Sequence, residues 1–169
     1  MESFVCFEPV VDKNSEILIL GSFPSVKSRE INFYYGNPQN RFWKVLEEFF
    51  GEKIENDIES KKVFLKNHKI AVWDIVKSSK IKGSSDLELV KDEIEFNDIE
   101  KLLKDYPNIK KVFCNGKASF NLTQKQFPNL EVRYLPSTSP ANVSFKKETW
   151  FENLKSIKFW DRLSVYSYY

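Results

Sequence analysis

Between Phe33 and Phe50 the chain reads FYYGNPQNRFWKVLEEFF, with three side-chain amides, Asn37, Gln39 and Asn40, set between a Tyr-Tyr pair and a Phe-Trp pair. Asn40 directly precedes a helical pattern, so one task for it is to cap that helix. Three other stretches are also dense in groups that bind ligands: GSFPSVKS after Leu20, NGKASF after Cys114 and PSTSPANVSFKK after Leu135. Tight turns of Gly, Pro and Ser expose backbone amides and hydroxyls, and with lysines these make good phosphate contacts. Aromatic residues nearby, Phe23, Tyr34 and Tyr35, can stack on a base drawn out of a nucleic-acid helix. Each signal has a plainer reading beside it, since PSTSP is also an ordinary polar turn and an aromatic beside a helix start is also core.

The elements that must position these residues follow from hydrophobic periodicity. Four short apolar runs read as buried strands: Ile17–Leu20, Ile70–Trp73, Lys111–Cys114 and Val132–Leu135. Phe42, Val45, Leu46, Phe49 and Phe50 fall three and four apart and Gly51 follows as a stop, which predicts a helix. A second helix is predicted through Ile99, Leu102 and Leu103, with Asn97 as its N-cap and Pro107 beyond its end. Weaker helical patterns cover Ser60–Asn67, Leu87–Lys91, Ala118–Lys125 and Thr149–Leu163. Strands alternating with helices predict one α/β domain over residues 1–169, a three-layer α/β/α arrangement around a central four-stranded parallel sheet. Loops leaving the carboxyl ends of parallel strands share one edge, where open α/β sheets bind ligands. That edge is expected to gather the three stretches above with DIVKSSKIKGSSD, and with them Lys27, Lys77, Lys80, Lys82, Lys117, Lys146 and Lys147, with Arg29 just beyond the first loop.

Composition bounds the rest. In 169 residues, 41% hydrophobic and 15% aromatic, there is material for one packed core and no sign of a linker or repeat. MESFVCFEPV lacks the basic start and apolar stretch of a signal peptide, and no apolar run approaches bilayer length, so the cytoplasm is the expected compartment, with no membrane partner. Two cysteines, Cys6 and Cys114, cannot build a four-cysteine zinc or iron–sulfur site and are expected as free thiols. The single histidine, His68, sits at a predicted helix end, where it reads as a C-terminal cap rather than a catalytic group. No metal and no cofactor are expected. A net charge of +2 does not by itself indicate nucleic acid, but acids are missing from 106–130 and from 132–147, which carry Lys110, Lys111, Lys117, Lys125, Arg133, Lys146 and Lys147. These cations either share a basic face or are ordinary solvated charge.

LGSFPS, YYGNPQNRFW, IAVWDIV with KGSSD, FCNGKASF and LPSTSPAN with a Trp eight residues on, taken in this order, resemble the DNA-deoxyinosine (hypoxanthine-DNA) glycosylases of the uracil-DNA glycosylase superfamily. The resemblance runs from about Ile17 to Trp150 and rests most on the Tyr-Tyr/Asn/Phe-Trp and PSTSPAN blocks. It implies base excision repair on double-stranded DNA with deaminated bases. Breaking an N-glycosidic bond passes through an oxocarbenium-like sugar, so a water must be held near C1′ while negative charge leaves with the base. The resemblance gives the water to Asn40, because Phe23 stands where mismatch-specific uracil glycosylase relatives carry an amide. One amide oxygen is not expected to serve the helix and the water together. By the same alignment Tyr35 stacks on the flipped base, and Asp74 reads it by accepting from N1–H of hypoxanthine, a donor that adenine lacks. Asp74 also fits a cap or a lysine pair. Asn115 addresses O6 of the base or bonds to backbone. Ser22 and Phe23 line the base pocket, while Ser25, in place of the family's usual Gly, contacts DNA. Ser137, Thr138 and Ser139 contact phosphate, Asn142 and Lys146 bind DNA with them, and something within Ala141–Phe145 fills the gap left by the base. Leu135 stands where several relatives have a His that assists the leaving group. No loop lysine stands out as a nucleophile, so a monofunctional enzyme is expected; separately, a monomer is expected. Two rivals remain: a uracil glycosylase of the same fold, and a DNA-binding module in which Asn40 is only a cap. GSFPS is neither GxGxxG nor a Walker loop, which disfavours a nucleotide-dependent enzyme.

Overall fold

A computed structural model of the chain describes residues 2–81 and 94–155. Its centre is a parallel sheet of β2 (Ile17–Gly21), β3 (Ile70–Asp74), β6 (Lys111–Asn115) and β7 (Arg133–Leu135), in the order β3-β2-β6-β7. β2 is inner to the sheet and buried throughout. Its alternate residues face opposite layers: Ile17 and Ile19 join one apolar cluster, Leu18 and Leu20 the other. On the first side lie α2 (Phe42–Phe50), α3 (Ile58–Asn67) and helical turns over 147–155, contributing Phe42, Leu46, Leu65, Trp150 and Leu154 to the core. On the second lie α4 (Ile99–Asp105) and α5 (Lys117–Gln126), which supply Ile99, Leu102 and partly buried Phe120. The predicted three-layer α/β/α architecture is therefore the observed one. Its strands read as continuous apolar runs because both faces are covered.

The four predicted strands are all present, the last beginning at Arg133 rather than Val132. Gly51, at φ 65, closes α2 as a left-handed C-cap, and His68 occupies the C-cap position of α3. His68 also stacks on Phe50 at 3.9 Å and meets Glu52 through Nε2 at 2.6 Å. The cap of α4 is corrected by one residue. Asp98, not Asn97, accepts from Lys101 N, while Asn97 is buried and donates through Nδ2 to the carbonyl of Asp74 at 2.7 Å. Cys6 and Cys114 are free thiols. The predicted helix over Leu87–Lys91 and residues 156–163 of the last helix lie outside the described residues.

Two elements were hidden. α1 (Val26–Ile31), capped by Ser25, occupies what reads as loop after the first strand. A second, antiparallel sheet of β1 (Glu2–Val5), β4 (Val76–Ile81) and β5 (Glu95–Phe96) takes up VKSSKI, whose polar residues have no apolar alternation. Lys77 and Lys80 consequently sit on a strand and do not belong to a loop of the binding edge, and Lys82 lies outside the described residues. The basic stretches do not form one face either: Lys111 opens β6, whereas Lys117 follows its far end. No helix among the described residues is long and apolar enough to cross a membrane.

Candidate active site

All four carboxyl ends of the parallel strands open on one cavity of about 510 Å³. Gly21 ends β2 and Ser22 to Ser25 follow it, Asp74 ends β3, Asn115 ends β6 and Ser137 to Asn142 follow β7, while Tyr35, Asn37 and Asn40 close the remaining wall. Of the residues predicted from sequence, Ser22, Phe23, Ser25, Tyr35, Asn40, Asp74, Asn115, Ser137, Thr138, Ser139 and Asn142 all line it. Lys146 does not. It lines a separate groove with Arg41, Lys44, Phe145 and Lys147.

Asn40 Oδ1 accepts from Phe42 N at 2.9 Å, so the side chain bonds the first N–H of α2, although Arg41 holds the N-cap position and its own side chain makes no capping bond. A carbonyl oxygen has two lone pairs. The bond to Phe42 therefore holds the amide at the cavity wall and leaves acceptor capacity on its oxygen.

The two diagnostic blocks are joined by a residue that sequence reasoning missed. Arg41 donates its backbone N–H to the carbonyl of Thr138 at 3.0 Å. Its Nη1 donates to the carbonyls of Ser139 and Asn142, each at 3.0 Å, and its guanidinium lies 5.1 Å from the Phe145 ring centroid. Asn115 completes the clamp from β6, donating to Thr138 Oγ1 at 2.9 Å and accepting from Thr138 N at 3.0 Å. Thr138 is accordingly only 1% exposed, which takes its hydroxyl out of reach of a phosphate and makes it a loop anchor. Within the loop, Ser139 N bonds to Ser137 Oγ, Ala141 N to Ser139 Oγ, and Asn142 Nδ2 to the Ser137 carbonyl. Trp150 Nε1 donates to the carbonyl of Pro136 at 2.8 Å, which ties the last helix to the same loop. The chain leaves this frame at Val143, which follows the cavity-lining Asn142 and is 91% exposed.

The floor is electrostatically unusual. Asp74 is 4% exposed, and burial pushes its carboxyl up to about 7. Its Oδ2 is buried with no hydrogen-bond partner, as is the hydroxyl of Tyr35. Burial, and after it the charge of Asp74, also raises the Tyr35 phenol. The Tyr35 ring lies against Phe42, centroids 4.0 Å apart and planes at 20°, so one of its two faces is already covered. Phe23, half-buried and edge-on to Phe4 at 5.9 Å, brings a second aromatic surface to the cavity. Ser25 caps α1, accepting from Ser28 N at 3.1 Å. Lys117, the first residue of α5, adds a cation to the lining.

The family described as the Uracil DNA glycosylase superfamily matches residues 8–164. A hypoxanthine DNA glycosylase of Methanosarcina barkeri (strain Fusaro / DSM 804) is 38% identical over 154 residues, which span 88% of this chain and 96% of that protein. A hypoxanthine DNA glycosylase of Methanosarcina acetivorans is 38% identical over 143 residues, covering 83% of this chain and 89% of its own length. Among solved structures, a uracil DNA glycosylase-like protein of Methanosarcina acetivorans, determined by NMR in solution, superimposes with a TM-score of 0.76 at 32% identity. That match covers 93% of this chain and 99% of the other.

Proposed function

Because the chain belongs to the uracil DNA glycosylase superfamily, we propose that it is a monofunctional DNA glycosylase of base excision repair. It hydrolyses the N-glycosidic bond of deaminated deoxynucleotides, deoxyinosine foremost, and releases hypoxanthine. It acts on double-stranded DNA as a monomer in the cytoplasm, with no cofactor. The observation that carries this reading is the convergence of Asn40, Asp74 and Asn115 with the polar loops on one cavity at the carboxyl ends of the sheet.

The damaged nucleotide leaves the stack and its base enters the cavity, stacking on Phe23. Asp74, as carboxylate, accepts a hydrogen bond from N1–H of hypoxanthine. The C1′–N9 bond breaks with its electron pair leaving on the base, and water adds to the oxocarbenium-like C1′. Asn40 orients that water through the lone pair its cap leaves unused, and the water's proton passes to solvent while the leaving purine regains one. Ser137, Ser139, Asn142 and Lys146 hold phosphates, Ser25 contacts DNA at the first loop, and Val143 fills the space the base vacates. Leu135, fully buried, offers no imidazole to help the leaving group. Asn115 acts by holding Thr138.

The test is incubation of purified protein with labelled duplexes carrying one deoxyinosine, one deoxyuridine or neither, abasic sites being revealed by alkali. Release from deoxyinosine DNA that collapses in Asn40→Ala, with binding retained, is expected. Preference for deoxyuridine would make it a uracil glycosylase. Binding without any release would make Asn40 a cap in a DNA-binding protein.

A further inference from the structure

Tyr35 is placed by its backbone as much as by its ring. Its φ of 51 lies in the left-handed region, which a bulky residue adopts only when its surroundings hold it there. With one ring face on Phe42, the phenol reaches the bottom of the cavity, where its oxygen is buried without a hydrogen-bond partner. Asp74 Oδ2 is unpartnered in the same corner. The two side chains meet over Gly21: a Cβ there would lie 2.4 Å from Asp74 Oδ1 and 3.1 Å from the Tyr35 hydroxyl, so only glycine leaves the corner open. Neighbouring groups do not complete it. Asn115 spends one amide hydrogen and its oxygen on Thr138 and keeps a second N–H near the Tyr35 oxygen, which leaves the phenol hydrogen itself uncommitted; the hydroxyl of Tyr34 is taken by the carbonyls of Phe7 and Glu8. Two buried polar atoms without partners, facing one cavity, are a site awaiting a ligand of matching pattern.

We propose that Tyr35 is a second base-reading residue, whose hydroxyl donates to the carbonyl oxygen adjoining the N–H that Asp74 accepts, so that the pair reads a lactam edge. This rests on the function proposed above and names its substrate class. A carboxylate only accepts, and a phenol beside it donates. Their complement is an N–H next to a C=O, found at N1 and C6 of hypoxanthine and of xanthine and at N3 and C4 of uracil. Adenine and cytosine present the reverse, a ring acceptor beside an amino donor, so carboxylate meets lone pair and phenol meets amine. Deamination of either base converts the rejected edge into the accepted one. Guanine and thymine carry the same edge, and the cost of opening their stable pairs excludes them instead. The tyrosine thus recognises the chemical change itself rather than one damaged base.

Tyr35→Phe removes a single hydroxyl and keeps the ring against Phe42, so the variant is expected to fold. Single-turnover cleavage is compared on duplexes holding deoxyinosine and its 6-thio analogue, which keeps N1–H but replaces the carbonyl with a weak acceptor. Tyr35→Phe is expected to slow deoxyinosine release by roughly tenfold to a hundredfold and leave the 6-thio substrate nearly unchanged. Equal losses on both substrates, or no loss on deoxyinosine, overturn the inference. If the unaltered protein releases no base from any duplex, the proposed function fails, and binding of the free bases decides this inference separately. Hypoxanthine bound more tightly than unsubstituted purine, with the difference reduced in Tyr35→Phe to the part that Asp74 supplies through N1–H, upholds it; a difference unchanged in the variant overturns it.

Discussion

Replacing Asp74 with Asn isolates the cost of holding a charge at the cavity floor. The carboxyl moves from the ordinary value of 3.8 to about 7 because burial removes it from water. Between those two values the folded protein binds a proton that the unfolded chain has released. Stability is therefore fully present at low pH and is lost as pH rises through about 7, at about 1.4 kcal/mol per pH unit, reaching about 4 kcal/mol. Asn carries no charge, so Asp74→Asn escapes this loss, although an unpaired buried amide costs about 1–3 kcal/mol at every pH. The constant offset cancels when the two proteins are compared across pH. In urea unfolding, the stability of the variant relative to the parent should rise by about 3 kcal/mol between about pH 5 and about pH 8. Parallel stability curves would show that Asp74 carries no such burden and would sink the argument from burial. The same titration has a functional face. As the carboxyl protonates it stops acting as a pure acceptor for N1–H, so deoxyinosine cleavage should decline as pH falls through about 7, and this decline should be absent from Asp74→Asn.

Three further outcomes follow from the geometry. Asn40→Ala should lose about 1 kcal/mol with the cap on Phe42 N and lose cleavage as well; Asn40→Ser, which keeps a capping oxygen, should recover the stability without the cleavage, and recovery of both would remove Asn40 from the chemistry. Gly21→Ala drives a methyl to 2.4 Å from a carboxylate on a short, buried side chain; thermal melts and cleavage assays should show a loss of about 1–3 kcal/mol together with most of the activity. Arg41→Met keeps the apolar stem but drops both bonds from Nη1; hydrogen exchange should report a loosened 137–144 segment and DNA binding should weaken, while amides of β2 and β6 stay protected.

The sheet was legible because parallel strands covered on both faces must be apolar throughout, as ILIL and IAVW are. β4 was not, since an antiparallel strand in a small sheet is held by backbone ladders that polar side chains do not announce. The one-residue error at Asn97 has a similar origin: Asn and Asp both cap well, and only the three-dimensional partner, the Asp74 carbonyl, shows that Asn97 is used elsewhere. The position of the cavity was legible from the carboxyl-end rule, and the resemblance supplied most of its lining. Arg41 escaped because its partners are carbonyls about a hundred residues away, and backbone atoms leave no mark in a sequence. The orientation of Tyr35 escaped for another reason: a tyrosine offers both a ring and a hydroxyl, and only its packing on Phe42 and its reach toward Gly21 tell which end meets the cavity.

Every hydrogen bond by which Arg41 grips the loop after β7 goes to a main-chain oxygen, those of Thr138, Ser139 and Asn142, with the Phe145 ring under its guanidinium. The hydrogen-bonded part of that grip is indifferent to loop side chains other than Thr138 and Phe145, provided the path of the loop is kept. Positions such as Ala141 and Val143 are therefore open to exchange without disturbing the anchor. Through them a lineage, or a protein engineer, can retune how the loop meets nucleic acid while the cavity beneath keeps its shape.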